Sequence, residues 1–315
     1  MSRKASLLSD KFRAMGTDVS IDVVLDGNVS EEKAQKAFET ARAIFEKYEQ
    51  IFSRFRKDSE LSELNKNIGK TTRISDEMLE VLKLCISHHK ASECYFDPRV
   101  IEILEQIGYD KDFSSNDFNA SLRENSFPEK INDKLEKNIR LSPEKKAVFL
   151  ERRIDTTGIV KGYAVDKTAE ALVQEGLQDF IIDAGGDMYI EGRDAEKKEW
   201  RVAIEGIPEN KLMLKLSHTG IATSGISRKR WQRGDRKFHH LINPKNPETF
   251  TQDLKTVTVV DEKTVDADAL AKTLFIMGKN RGIEFADKNG IKALFLDYRG
   301  NIVLSKEIKE KIIAN

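Results

Sequence analysis

The chain has 315 residues, enough for one large domain or two ordinary ones with a real core. Its 53 lysines and arginines balance 53 aspartates and glutamates, so the basic excess of a general nucleic-acid binder is missing. Cys85 and Cys94, with no further ligand beside them, argue against a disulfide framework or a zinc site and read as ordinary thiols of a reducing compartment. Residues 1–18 carry no apolar run long enough for a signal peptide and no cysteine for lipid attachment. No stretch approaches transmembrane length, so the expectation is a cytoplasmic protein.

In chain order, residues 19–25 alternate and are rich in Val and Ile, which predicts a strand, and Asp26-Gly27-Asn28 turns the chain. Ser30 then caps a long helix with Glu31 and Glu32 in its first turn and a stripe of Ala34, Ala37, Phe38, Ala41, Phe45 and Tyr48. Ser75 caps a second helix whose face is Met78, Leu79, Leu82 and Ile86. Residues 110–135 are polar and predict an irregular excursion; 138–150 predict a hairpin. A helix is expected over 163–175, ending at Gly176, then a strand over 180–184 running into Gly185-Gly186. Further strands are expected at 200–204, 212–216, 257–260 and 293–298, with helices at 267–277 and 280–288 and a closing strand after Arg299-Gly300. There is no internal repeat and no low-complexity tract. Clustered strands with short turns predict an α+β fold, with largely antiparallel sheets and packed helices in one domain over 1–315.

Five stretches have residues suited to chemistry. DTTGIVKGYAVD (155–166) is neither a P-loop nor a dinucleotide fingerprint. It reads either as a glycine-flanked anion site with Lys161 or as a tight turn with a surface lysine. DAGGD (183–187) is a close approach or a plain turn. TSGISRKRW (223–231) and FHHLINP (238–244) bring hydroxyls, cations and paired histidines, of which at most one faces a given site if they lie on a strand. In TVDADALAKTLFIMG (264–278), Asp268 is either an exposed first-turn acid or a hard-metal ligand.

Taken with FRAMGTDVSI (12–21), FSRFRKDSELSELN (52–65) and YFDPRV (95–100), these segments resemble, in order and spacing, the FAD:protein FMN transferases, the ApbE-like family. The resemblance runs from about Phe12 to Gly278 and implies an ApbE-like, T-fold-like architecture. It implies a Mg²⁺-dependent enzyme that transfers the FMN half of FAD to a threonine or serine of a partner flavoprotein and releases AMP. Position by position, it implies that Met15, Phe55, Tyr95, Phe96 and Asp97 line the FAD pocket and that Asp155, Lys161 and Leu241 contact FAD. His240 would also meet FAD and serve as the base, while Asp268 and the Gly158 backbone would hold the metal.

The chain departs from the family pattern at four positions. Phe55 stands for a tyrosine, Asn243 for an aspartate and Thr157 for a glycine. Most consequentially, Lys272 occupies the metal-ligand position four residues after Asp268, where the family has threonine. Residues four apart share a helix face, and a protonated lysine is no metal ligand. Two alternatives follow: Lys272 pairs with Asp268 and replaces the metal, or it swings aside. FAD hydrolysis to FMN and AMP, and a non-catalytic FAD carrier, are the rival functions.

Overall fold

In the computed structural model, which describes residues 5–109, 130, 131, 133–226, 230–233, 236–251 and 253–313, the chain starts with a hairpin. Strands β1 (Ser6–Ala14) and β2 (Thr17–Leu25) pair antiparallel along their whole length. Only β2 was expected. The exposed positions of β1 alternate with half-buried ones and carry charges such as Lys11 and Arg13, and Asp10 interrupts the half-buried side, so the strand has no clear apolar signature. It forms the edge of the main sheet, where charge discourages further pairing.

Helix α1 (Glu31–Phe52) starts at Ser30, whose side chain accepts the Lys33 N–H, and the whole expected stripe is buried. Short α2 (Glu60–Lys66) and β3 (Thr71–Arg73) lead into α3 (Asp76–Ala91), capped by Ser75 as expected. A brief α4 (Ile101–Gln106) follows. Most of the polar excursion expected at 110–135 lies outside the described residues. Beyond it, α5 (Leu135–Asn138) precedes the expected hairpin of β4 (Ile139–Ser142) and β5 (Ala147–Leu150), to which β3 adds.

Helix α6 (Val160–Gln174) begins three residues earlier than the sequence predicted, so Lys161 and Gly162 lie in its first turn. Then come β6 (Phe180–Ala184), β7 (Asp187–Glu191), β8 (Trp200–Ala203), β9 (Met213–Leu216) and β10 (Thr219–Gly225). A ribbon of β11 (Arg230–Arg233) and β12 (Arg236–His239) follows. The histidine pair does not open a strand: β12 ends at His239 and 240–244 is irregular. The chain finishes with β13 (Leu254–Asp261), α7 (Thr264–Met277), α8 (Lys279–Lys288), β14 (Lys292–Asp297), β15 (Ile302–Leu304) and β16 (Ile312–Ile313).

The main sheet has eight strands in the order β1-β2-β6-β7-β10-β13-β14-β15, every neighbour antiparallel. This is the α+β, antiparallel architecture the sequence predicted. Strand periodicity sorts its two faces. Ala293 and Phe295 of β14 pack on the side of α7 and α8, while Leu294 and Leu296 face the core shared with the small β16-β9-β8 sheet. On the helix side, Ile21 and Val23 of β2 join the core built on α1, α3 and α6. The sheet is thus covered on both faces.

Candidate active site

A cleft of about 540 Å³ opens where the β1–β2 turn, the end of α1, the start of α6, the β6–β7 turn, β10 and α7 converge. Every site residue nominated from the sequence lines it: Met15, Phe55, Tyr95, Phe96, Asp97, Asp155, Gly158, Lys161, His240, Leu241, Asp268 and Lys272. Their side chains are not all free for a ligand, however.

The β1–β2 turn places Met15 at φ 51 and Gly16 at φ 72, and the Met15 N–H donates to Glu49 of α1 at 2.6 Å. A methionine in the left-handed region is strained, and this one sits on the cleft wall. The neighbouring turn is made by the DAGGD glycines. A Cβ on Gly185, at φ +62, would lie 2.1 Å from the Thr17 hydroxyl oxygen. The close approach at Gly185 is therefore between two hairpin turns of the protein.

Lys161 is not the open anion site that its glycine-rich setting suggested. Its ammonium donates to the Ala184 carbonyl at 2.8 Å and pairs with Asp187 at 2.9 Å. Burial works against its charge, but Asp187 and Asp268 outweigh burial and hold its pKa above the ordinary lysine value. Burial and the nearby Asp268 push the Asp187 carboxyl up, while the ammonium groups of Lys161 and Lys272 pull it down. Asp187 closes the DAGGD motif, but nothing local in the sequence marks its role, because its partner lies on α6.

The two other acids expected to contact FAD are also engaged. Asp97 accepts from Arg99 Nη2 at 2.7 Å and Nε at 2.9 Å, and its side chain is 1% exposed. Asp155 accepts the Thr157 N–H at 2.8 Å and pairs with the buried Arg54 at 3.2 Å. These acids shape the wall from behind; their carboxylates are committed to protein cations. Arg54, missed in the sequence, has its guanidinium 4.4 Å from the Phe55 ring centre and 4.7 Å from that of Tyr109. One face of Phe55 is thus covered by Arg54, so it presents at most its other face and edge to a ligand.

The histidine pair divides as a strand end dictates. His239 is buried, edge-on to Phe250 and Phe275. His240 is half-buried and lines the cleft beside Leu241. Asp268 is neither exposed nor open: it is buried on α7, and its Oδ1 accepts from the Lys272 ammonium one turn on. Its Oδ2 has no hydrogen-bond partner. The lysine stem runs over Gly158, where a Cβ would lie 3.8 Å from Lys272 Cδ and 3.4 Å from the Phe96 ring.

The match to known proteins agrees with this geometry. The ApbE family model covers residues 15–295. The chain belongs to the ApbE family. Among curated ApbE relatives, the FAD:protein FMN transferase of Haemophilus influenzae is 27% identical, covering 94% of this chain and 88% of the relative. That of Vibrio cholerae is 26% identical over 90% of this chain and 85% of its own. The fold recurs in the apo flavinyl transferase ApbE of Pseudomonas stutzeri, with a TM-score of 0.80 at 20% identity and 98% of each chain covered. The flavin transferase ApbE of V. cholerae gives 0.78 at 22% identity, covering 99% of this chain and 100% of that one.

The Mg²⁺ implied by the resemblance does not fit this donor set. A small hard cation needs about six oxygen ligands in near-octahedral array. Here one Asp268 oxygen is taken by an ammonium, and the next carboxylate, Asp187, is paired with a second ammonium. Among the described residues no cluster of three or more His, Cys, Asp or Glu side chains is placed to hold a metal ion. Likewise, no described helix is long and apolar enough to cross a membrane.

Proposed function

We propose that this chain transfers the FMN half of FAD to a threonine or serine hydroxyl of a partner flavoprotein, releasing AMP. One observation carries the reading. Segments spread from Met15 to Leu241, each assigned to FAD by family resemblance, converge on one cleft. The cleft also has the groups that pyrophosphate cleavage requires. Arg13 and Arg56 stand at its wall, each loosely tied to an exposed acid, Asp18 at 3.4 Å and Asp58 at 3.5 Å. Such cations are free to meet phosphoryl oxygens. Apolar walls from Phe96, Leu104 and Ile242 suit flat rings.

In this reading His240 takes the proton from the acceptor hydroxyl. The hydroxyl oxygen attacks the flavin-side phosphorus and a new P–O bond forms. The bond from that phosphorus to the bridging oxygen breaks, and AMP leaves with that oxygen. His239 is unsuited to the role, because burial pushes its pKa down to about 4 and its ring faces the aromatic core.

The test mixes the protein with FAD and a flavoprotein domain carrying an acceptor threonine, then images flavin fluorescence on a denaturing gel and assays AMP. A covalent fluorescent band with matching AMP is expected. His240→Ala should lower the rate about 100-fold or more while FAD still binds. AMP without a labelled acceptor would replace transfer by hydrolysis, and a fully active His240→Ala would remove the histidine from the chemistry.

A further inference from the structure

We infer that Lys272 is a built-in cation that takes the place of a divalent metal against the FAD pyrophosphate. The inference rests on the reading of the cleft as an FAD site. Three observations on the page point the same way. The ammonium contacts Asp268, the carboxylate that the resemblance assigns to metal. The stem overlies Gly158, whose backbone the resemblance also assigns to metal. The lysine therefore fills the space between the two metal-assigned positions, and it lines the cleft with its side chain still 18% exposed.

Charge balance supports this placement. Asp187 and Asp268 are matched by Lys161 and Lys272, so the cluster carries no excess negative charge to draw in a divalent ion. A metal at Asp268 would sit against an ammonium, with repulsion in a poorly hydrated site. An anion arriving from the cleft finds the opposite situation. Lys272 has three N–H donors, and Asp268 Oδ1 uses one. The remaining donors are available to phosphoryl oxygens, and Asp268 holds the ammonium in position. Lys161 is the poorer candidate, because two carbonyls and Asp187 already surround its ammonium.

The test measures FAD and ADP binding by calorimetry in EDTA and in Mg²⁺, with Mn²⁺ binding followed by electron paramagnetic resonance. The intact protein should bind FAD and ADP in EDTA, with Mg²⁺ changing either affinity less than about threefold, and should not take up Mn²⁺. Lys272→Thr should lose about tenfold or more in EDTA, regain it with Mg²⁺, and bind Mn²⁺. Lys272→Arg, which keeps a cation, should retain metal-free binding and controls for folding. A wild-type affinity that rises tenfold or more with Mg²⁺, or unchanged FAD binding by folded Lys272→Thr in EDTA, overturns the inference. Metal-free FAD binding without any FMN transfer or AMP release would sink the transferase reading and leave the role of Lys272 intact.

Discussion

His239 and His240 show how one peptide bond separates two kinds of chemistry. His240 faces the cleft, whereas His239 is 3% exposed, with the ring centres of Phe250 and Phe275 at 5.0 and 6.0 Å. Nε2 of His239 lies 3.2 Å from the Thr251 carbonyl, which calls for the proton on that nitrogen. Burial lowers its pKa from 6.5 to about 4, so folding favours the neutral ring. The unfolded chain takes up a proton near pH 6.5 and the folded chain does not. His239 therefore contributes stability that is complete above pH 6.5 and lost as the pH falls toward 4. The loss amounts to about 3 kcal/mol, from the linkage between protonation and folding. Urea unfolding at intervals from pH 7.5 to 4 should show this slope in the native protein and a shallower one in His239→Gln. Parallel curves would mean that His239 is not the group responsible.

At the scale of elements, α6 grips the first turn of α7 by two devices one turn apart. A Cβ on Gly162 would lie 2.7 Å from the Thr264 carbonyl oxygen and 2.8 Å from Val265 Cα, so the helices touch backbone to backbone. Asp166 accepts the Thr264 and Val265 N–H groups at 2.8 and 2.9 Å, capping α7 from another helix. Gly162→Ala should push α7 away and cost about 1–3 kcal/mol, as overpacking does. FAD affinity should fall with it, because α7 carries Asp268 and Lys272. Gly158→Ala is the contrasting variant: its Cβ meets only side chains, at 3.4 and 3.8 Å, and should leave stability within about 1 kcal/mol of the parent. Equal stability of the two variants would refute this helix contact. The same contact explains what was legible in the sequence. The α1 stripe could be read because one face of that helix is buried and its cap is local. The start of α7 could not, because its cap lies 98 positions away on α6. The glycines around Lys161 do signal a close approach, but sequence cannot tell a ligand from a neighbouring helix; at Gly162 the visitor is α7. The Asp268–Lys272 pair was foreseeable, since both residues are on one helix four apart. The pairing of Lys161 with Asp187 joins separate elements and left no local trace.

For the whole molecule, the cleft ties distant parts of the chain together. Its wall takes Met15 from the first hairpin, Asp155 and Lys161 from the entry to α6, His240 from beyond the β11–β12 ribbon and Ile276 from the end of α7. The antiparallel sheet runs unbroken from β1 to β15 beneath them, and its two faces supply separate apolar cores. A ligand held by all these segments binds the folded sheet and has little to hold in the unfolded chain. FAD at about 100 times its dissociation constant should therefore add about 2.7 kcal/mol to the unfolding free energy. Because the sheet is continuous, the shift should move the entire denaturant transition, followed by far-ultraviolet circular dichroism. Riboflavin at the same concentration has the flavin ring but no phosphate, so it gives Arg13, Arg56 and Lys272 no phosphoryl oxygen to meet and should shift the midpoint less. Equal shifts with riboflavin would place the binding energy in the ring alone and remove the basis for a pyrophosphate-reading cleft. A transition that splits, with only one part moved by FAD, would show that the strands beneath the cleft unfold separately from the rest of the sheet.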